Sequence, residues 1–206
     1  MNQSRALKHT WITEFVTLSI LAAVIVVLQL VASSIKIGTV SFTLVLIPIV
    51  VGAAFYGKAA GAFLGAVFGI MAFIGCATGS DFGGSVLFNA NPFICFLVCI
   101  AKGSLSGFCA GLVYRLVSGK APSLGRSYVA SLLAALTAPV VNTGLFCLSM
   151  VLFYHDVLVE WAAGSEILNY VLFGMVGVNF LVETGINLIC SPAINTIVRA
   201  VKKARQ

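Results

Sequence analysis

The sequence is a series of long apolar runs, separated by short segments that hold most of the polar and charged residues. A helix needs about 17 to 25 mostly apolar residues to cross the hydrocarbon core of a bilayer. The predicted spans are 12–35, 42–57, 59–77, 92–115, 128–153 and 168–198. The second is short, and the last is long enough to tilt or protrude. The pattern predicts an all-α integral membrane protein, a compact bundle of six transmembrane helices in a single domain, residues 1–206.

The last span carries a polar residue at every fourth position of an otherwise apolar sequence. These residues are Asn179, Glu183, Asn187, Ser191 and Asn195. Residues four apart lie on nearly the same face of a helix. A carboxylate at mid-bilayer costs about 2.5 to 3.5 kcal/mol, so we expect Glu183 to face protein or water. The stripe fits hydrogen bonding between helices or the lining of a ligand or ion site.

Composition places the chain in a membrane and indicates its orientation. The 206 residues are 60% hydrophobic and 9% charged, whereas soluble domains are about 25% charged. The first apolar run is longer than the core of a cleavable signal peptide, which predicts a retained span. Because cytoplasmic flanks are rich in Lys and Arg, both termini are predicted to be cytoplasmic. In that orientation Lys36 lies outside, Lys102 lies within the membrane, and the other Lys and Arg residues lie inside. The basic charge therefore reflects topology and predicts no nucleic-acid partner.

Small residues at four-residue spacing mark faces on which helices approach closely in lipid. The glycines with this spacing are Gly57, Gly61, Gly65 and Gly69 in the third span, and Gly103, Gly107 and Gly111 in the fourth. They favour a tight bundle without room for an ion channel. In the first span, Ser19, Ala22 and Ala23 form a small face that suits a contact within the chain or with another subunit.

Three predicted spans bring polar groups to a similar depth. These groups are Lys102 on the fourth span, Asn142 and Thr143 on the fifth, and Asn179 and Glu183 on the sixth. Lys102 lies about ten residues into its helix, roughly 15 Å below the boundary. Pro139 frees a backbone carbonyl beside Asn142. The arrangement predicts a pocket in which Lys102 pairs with Glu183 or binds the carboxylate of an anionic substrate.

Two further segments affect the predicted fold. Residues 75–92 are rich in Gly and Asn and predict the longest outside loop, in which Asn89 and Asn91 offer binding groups. Such a loop can close over a pocket or be an ordinary connection. Pro48 lies within the second predicted span, where we expect it to kink the helix.

Motifs for catalysis are missing from the sequence. No Gly-x-x-x-x-Gly-Lys-Ser/Thr segment occurs, so a nucleotide-binding P-loop is excluded. His9 and His155 both flank the spans, which leaves no intramembrane Ser–His pair and no His-rich metal site. The six cysteines are expected to pack as small apolar groups. We expect no catalytic residue, cofactor or metal, and therefore no enzyme.

The chain resembles the S components of energy-coupling-factor (ECF) vitamin transporters along nearly its whole length. The segments that carry the resemblance are Ser19/Ala22/Ala23, the run 42–65, Asn-Pro-Phe93, Lys-Gly103, the run 139–146 and Gly-x-Asn-Phe-Leu-x-Glu183. The last two are most similar to the pantothenate-type branch. The usual docking motif of the family is Ala-x-x-x-Ala, and its nearest match here is Ser19-Ile-Leu-Ala-Ala23.

The resemblance implies a multi-pass protein of the bacterial plasma membrane that binds a vitamin outside. It would dock on a transmembrane coupling subunit with two cytoplasmic ATPases, through Ser19, Ala22 and Ala23. Pantothenate, a small anion with hydroxyls and an amide, needs one cation and several neutral hydrogen-bonding groups. The candidate substrate-binding residues are Asn89, Asn91, Lys102, Asn142, Thr143, Asn179 and Glu183. Glu183 would orient Lys102 or accept a ligand hydroxyl.

Two alternatives to a pantothenate S component remain open. One is an S component for a different vitamin. The other is a stand-alone secondary transporter of a small anionic metabolite, in which Lys102 and Glu183 would couple the substrate to protons. An intramembrane enzyme is disfavoured by the missing histidine pair and metal ligands.

Overall fold

The computed structural model describes residues 2–34, 36–37, 40–41, 44–119, 123–162 and 177–204. The helices are α1 (Asn2–Ser34), α2 (Leu46–Tyr56), α3 (Lys58–Thr78), α4 (Phe82–Ala90), α5 (Pro92–Ser118), α6 (Leu124–Phe153), α7 (His155–Ala162) and α8 (Gly177–Ala204). Two short strands, β1 (Lys36–Ile37) and β2 (Val40–Ser41), pair antiparallel between α1 and α2. The described residues therefore fold almost entirely as helices.

Four of the predicted spans are confirmed as helices long and apolar enough to cross a membrane. They are Ile12–Val31 in α1, Lys58–Thr78, Pro92–Ser118 and Leu124–Phe153. The second predicted span, 42–57, is corrected to α2, whose 11 residues reach only about 16 Å. Of the sixth, residues 168–176 lie outside the described residues. The fold is an α-helical membrane bundle in which four helices within the described ranges are both long and apolar enough to span a membrane.

The predicted loop at 75–92 is wrong over most of its length. Helix α3 continues to Thr78, and α4 occupies Phe82–Ala90. The turn between them uses Gly79, whose φ of 75° suits glycine. The expected kink at Pro48 has no physical basis in this position, because Pro48 is the third residue of α2. A backbone N–H there would have no partner within the helix, so the proline removes no helical hydrogen bond.

Helices α3 and α5 pack backbone to backbone along their predicted glycine faces. A Cβ on Gly65 would overlap the Gly103 carbonyl, and a Cβ on Gly61 would overlap that of Gly107. Gly57 departs from the predicted face because it lies between α2 and α3, with a φ of 89°. The close packing of α3 on α5 is thus confirmed, since the glycines leave no side chain between the two helices.

One end of the bundle, here called the capped end, carries the short helices α4 and α7. There α3 and α6 end and α5 begins. A buried apolar cluster fills this end, formed by Cys76, Leu87, Cys95, Cys99, Met150, Tyr154 and Leu158. A larger core joins α1, α2, α3, α5, α6 and α8 through residues such as Ile25, Leu64 and Ile194. The capped end therefore has a small core of its own.

Candidate functional site

The polar stripe of α8 faces protein, as predicted. Glu183, Asn187, Ser191 and Asn195 are all buried. The Ser127 hydroxyl of α6 donates to Asn195 Oδ1 at 2.9 Å, and Asn187 Nδ2 donates to the Glu183 carbonyl at 2.8 Å. The side chain of Asn179 lies outside the described residues. The stripe therefore serves helix packing at its Asn195 end.

Helix α8 runs antiparallel to α6. Ser127 is only three residues from the start of α6, where it meets Asn195. A parallel α8 would carry Asn187 and Glu183 roughly 8 to 14 Å beyond Leu124, where α6 begins. Both side chains are at most 4% exposed, which requires α8 to return along α6.

Hydrogen bonds fix the register between α5 and α6. The Ser106 hydroxyl donates to the Ala138 carbonyl at 2.8 Å, beside Pro139. Nearer the opposite end, Arg126 Nε donates to the Val117 carbonyl at 2.8 Å. The two bonds pair later residues of α5 with earlier residues of α6, so these helices are antiparallel as well.

The two registers place polar residues of three helices at one level. One turn from the Ser106–Ala138 bond toward the capped end, Lys102 on α5 lies opposite Asn142 on α6. Counting fifteen residues along each antiparallel helix from the Ser127–Asn195 bond places Asn142 of α6 level with Phe180 of α8. In the sequence, Phe180 lies between Asn179 and Glu183. Residues of α5, α6 and α8 thus lie at a similar level along the bundle, with α6 in contact with both of the other helices.

Lys102 contacts an aromatic ring on the neighbouring helix. Its Nζ lies 5.2 Å from the ring centroid of Phe146, one turn beyond Asn142 on α6. The side chain is half-buried. A cation–π contact is worth about 0.5 to 2 kcal/mol, and the uncharged ring leaves the positive charge of the ammonium in place. The contact orients a cation with three N–H donors.

Asn142 presents a buried amide oxygen at the same level. The side chain is 9% exposed, and Oδ1 has no hydrogen-bond partner among the described residues. Thr184 Oγ1 and Asn187 Oδ1 on α8 are in the same state. Leaving a buried acceptor unpaired costs about 1 to 3 kcal/mol. A ligand or water that donates hydrogen bonds to these atoms would remove that cost. Thr143, beside Asn142, is half-buried.

The two asparagines at the end of α4 lie apart from this level. Asn89 is exposed. Asn91 caps α5, since its Oδ1 accepts from Ile94 N at 3.1 Å, and its carbonyl accepts from the Tyr154 hydroxyl at 3.1 Å. Burial raises the pKa of Tyr154 to about 12, so that hydroxyl stays protonated as a donor. Asn91 therefore joins the start of α5 to the end of α6.

Three groups near the site were not predicted as site residues. Phe146 lies one turn after Asn142, but its contact with Lys102 joins two helices and could not be read from the sequence. Thr184 does not belong to the series of polar residues at every fourth position of α8, so the sequence pattern did not indicate it. The third group is Cys76, Cys95 and Cys99, whose sulfur atoms lie within 4.8 Å of one another. Cys76 lies on another helix than the other two, so spacing could not reveal the cluster.

The small face of α1 is divided between positions exposed on the bundle surface and packed positions. Ser19 and Ala23 are exposed, whereas Ala22 is half-buried against the main core. Phe15, at 74% exposure, and Ile20, at 58%, lie on the exposed side. Helix α1 thus turns two small residues of the predicted docking set outward, within an apolar surface.

The chain is similar to one family of transport proteins. The sequence family described as "ECF transporter, substrate-specific component" matches residues 14–195. The chain belongs to this family of ECF substrate-specific components. It is also 30% identical over 206 residues to "Pantothenic acid transporter PanT" of Lactococcus lactis subsp. cremoris (strain MG1363), covering 97% of this chain and 98% of that protein. No solved structure matches the chain significantly.

Proposed function

We propose that the chain is the pantothenate-binding subunit of an ECF importer in the bacterial plasma membrane. The observation that carries this proposal is the Lys102 ammonium, held against Phe146 at the level of Asn142. A single oriented cation beside a buried acceptor suits a small carboxylate that also carries hydrogen-bond donors. The relative from Lactococcus lactis is named as a pantothenic acid transporter, which supports the same substrate.

The chemistry of pantothenate suggests a role for each candidate residue on α5, α6 and α8. Lys102 would bind the carboxylate, because a charge-assisted hydrogen bond is the strongest contact available to that group. Asn142 Oδ1 would accept from a ligand hydroxyl or amide N–H, which would satisfy the buried oxygen. Thr143 and Asn179 would supply further neutral contacts. Glu183 would orient Lys102 or accept a hydroxyl, since it would repel the carboxylate.

Asn89 and Asn91 have a more limited part in this proposal. The side-chain oxygen of Asn91 already caps α5, so its amide N–H donors are what remain for a ligand. Asn89 is exposed on α4 and would reach the vitamin only at the entrance. Both residues would therefore influence entry more than final affinity.

The exposed side of α1 would be the docking surface for the transmembrane coupling subunit, which carries two cytoplasmic ATPases. Ser19 and Ala23 lie four residues apart and are exposed. Small residues at this spacing allow the backbone of another helix to approach closely in lipid. In this proposal ATP hydrolysis occurs in the partners, and this chain supplies only substrate recognition.

A ligand screen on the purified full chain tests the proposal. A ligand that binds only the native state stabilises it by about 2.7 kcal/mol at a hundred times its Kd. Pantothenate should raise the melting temperature at micromolar concentration, and the other water-soluble vitamins should not. Stabilisation by a different vitamin, without an effect of pantothenate, would reassign the substrate.

A flux measurement in liposomes separates this proposal from proton-coupled transport. The purified chain alone should give no pantothenate uptake under a proton gradient. Uptake should require the coupling subunit, both ATPases and ATP. Gradient-driven uptake by the chain alone would show a stand-alone transporter.

A further inference from the structure

Three cysteines converge at the capped end of the bundle. Cys76 lies near the end of α3, and Cys95 and Cys99 lie one turn apart near the start of α5. Their Sγ atoms all lie within 4.8 Å of one another. Each side chain is at most 5% exposed. The cluster offers three sulfur donors from two helices in a closed space.

The spacing of the sulfur atoms suits a metal ion at their centre. With a metal–sulfur bond of about 2.3 Å, three sulfurs around one trigonal ion would be roughly 4 Å apart. Small side-chain rotations would bring sulfurs that lie within 4.8 Å to this separation. Thiolates are soft ligands that select Cu(I), zinc or iron–sulfur clusters. Structural zinc takes four ligands, and the described residues supply three here.

Two positive features near the cluster offset part of the negative charge that bound thiolates would carry beside the Asp81 carboxylate, which lies close to Cys76. Cys95 lies in the first turn of α5, where the helix dipole is positive. Lys102 lies three residues after Cys99, about 4.5 Å further along the helix, and two turns from Cys95 on the same face. A cation and a positive helix end therefore both lie beside the sulfurs.

Helix α4 closes the cluster on its remaining side. A Cβ on Gly84 would overlap Cys76 Sγ and would lie 2.8 Å from the Asp81 carboxylate. Any larger residue at position 84 would push the sulfur out of its present place. Gly84 thus gives Cys76 the room to point at Cys95 and Cys99.

We propose that Cys76, Cys95 and Cys99 form a binding site for a soft monovalent metal ion, Cu(I). Binding breaks three S–H bonds, forms three S–Cu bonds and releases three protons to solvent. Copper remains Cu(I), so no electron is transferred. The occupied site carries a net charge of −2, beside the positive charge of Lys102. It joins the end of α3 to the start of α5 under α4, and its three ligands are separate from the residues proposed to bind the vitamin, with Lys102 as a shared neighbour.

Titration of the reduced, full-length chain with Cu(I) under anaerobic conditions tests this site. Competition with a chromophoric Cu(I) chelator should give one tightly bound Cu(I) per chain. X-ray absorption should show three sulfur neighbours at roughly 2.3 Å. This measurement uses the unaltered protein, so it does not depend on the folding of a variant. Weak binding, or a site with two sulfurs, would contradict the proposal.

Matched serine variants locate the bound metal. Cys76→Ser should lower the Cu(I) affinity at least a hundredfold. The triple variant Cys109→Ser, Cys147→Ser, Cys190→Ser removes the other three cysteines and should bind Cu(I) as the unaltered chain does. Unchanged affinity in Cys76→Ser, or loss of binding in the triple variant, would overturn the assignment. So would a disulfide between two cluster cysteines in protein isolated without air.

Discussion

The hydrogen bond between Ser127 and Asn195 determines which residues of α6 and α8 share a level. Both side chains are buried, and the bond joins residues 68 positions apart in the chain. Interhelical hydrogen bonds in membrane proteins contribute about 0.6 kcal/mol on average and at most about 1.7. This single contact therefore has a measurable effect on stability, and it supports the alignment of Asn142 with the Glu183 end of the stripe.

At the same scale, Ser127→Ala should destabilise the protein by about 0.6 to 1.7 kcal/mol. The change leaves Asn195 Oδ1 buried without its donor. Ser131→Ala is the matched control, because the Ser131 hydroxyl donates to a carbonyl of its own helix at 3.1 Å. Unfolding in denaturing detergent measures both variants. Equal losses would show that the bond between the helices contributes nothing specific.

At the scale of elements, the packing of α3 on α5 depends on the absence of side chains. Gly65→Ala places a Cβ against the Gly103 carbonyl, and overpacking of this kind costs about 1 to 3 kcal/mol. Gly144→Ala is the control, since a Cβ at Gly144 on α6 meets nothing within 4 Å. The control should stabilise the helix by about 0.5 to 1 kcal/mol. The same unfolding assay tests both, and a Gly65→Ala protein as stable as the original would contradict the packing.

The exposed side of α1 yields a prediction about partner docking. Ala23→Trp should abolish uptake by the complete transporter and leave vitamin binding by the isolated chain intact, because Ala23 is exposed. Ile189→Trp is the control, at an exposed position on α8 outside the proposed docking surface. It should retain uptake. Loss of vitamin binding in Ala23→Trp would show that this face packs within the chain.

Hydropathy predicted the long elements well and the short ones poorly. Four apolar runs became helices of spanning length, because burial in lipid requires the backbone to bond internally. Helix α4 contains Gly83 and Gly84, which gave it the composition of a loop. Helix α2 starts later than its apolar run, at Leu46. Hydropathy indicates neither that α4 is helical nor that α2 begins at Leu46. Contacts with neighbouring elements decide where such a segment becomes helical.

The candidate site was predictable from the sequence only where its features lie within a single helix. The four-residue stripe of α8 and the depth of Lys102 could be derived from periodicity and helix rise. The contact with Phe146 and the convergence of Cys76 on Cys95 could not, because both join different helices. Such contacts depend on register, which the Ser106–Ala138 bond fixes only in three dimensions.

At the scale of the whole molecule, charges separate between the two ends of the bundle. The basic residues Lys58, Arg115 and Arg126 lie where α3 begins, α5 ends and α6 begins. The acidic residues Asp81 and Asp156 lie at the capped end, beside α4 and α7. Basic flanks favour the cytoplasmic side. The capped end is therefore proposed to face outward, with the vitamin entering from that side.

Labelling of single cysteines in intact cells tests this orientation. Cysteines introduced at positions 3 and 205 should react with a membrane-impermeant reagent only after the cells are opened. A cysteine introduced at position 156 on α7 should react from outside, and each cysteine is introduced into a chain whose six native cysteines are replaced by serine. Reaction of either terminal position from outside would reverse the topology and place the capped end in the cytoplasm.

The central claim is that Lys102 binds the carboxylate of pantothenate. Lys58 offers a matched comparison, since its Nζ also lies 5.2 Å from a ring centroid, that of Phe108, at the opposite end of the bundle. The decisive measurement is the affinity of the Lys102→Met and Lys58→Met proteins for pantothenate and for its uncharged alcohol analogue.

Lys102→Met should weaken binding of the acid by about ten- to more than a hundredfold, because a charge-assisted hydrogen bond contributes about 1.5 to 3 kcal/mol. Binding of the alcohol should change far less, and Lys58→Met should alter neither affinity. Equal weakening of acid and alcohol in Lys102→Met would instead make Lys102 a structural residue and contradict the claim.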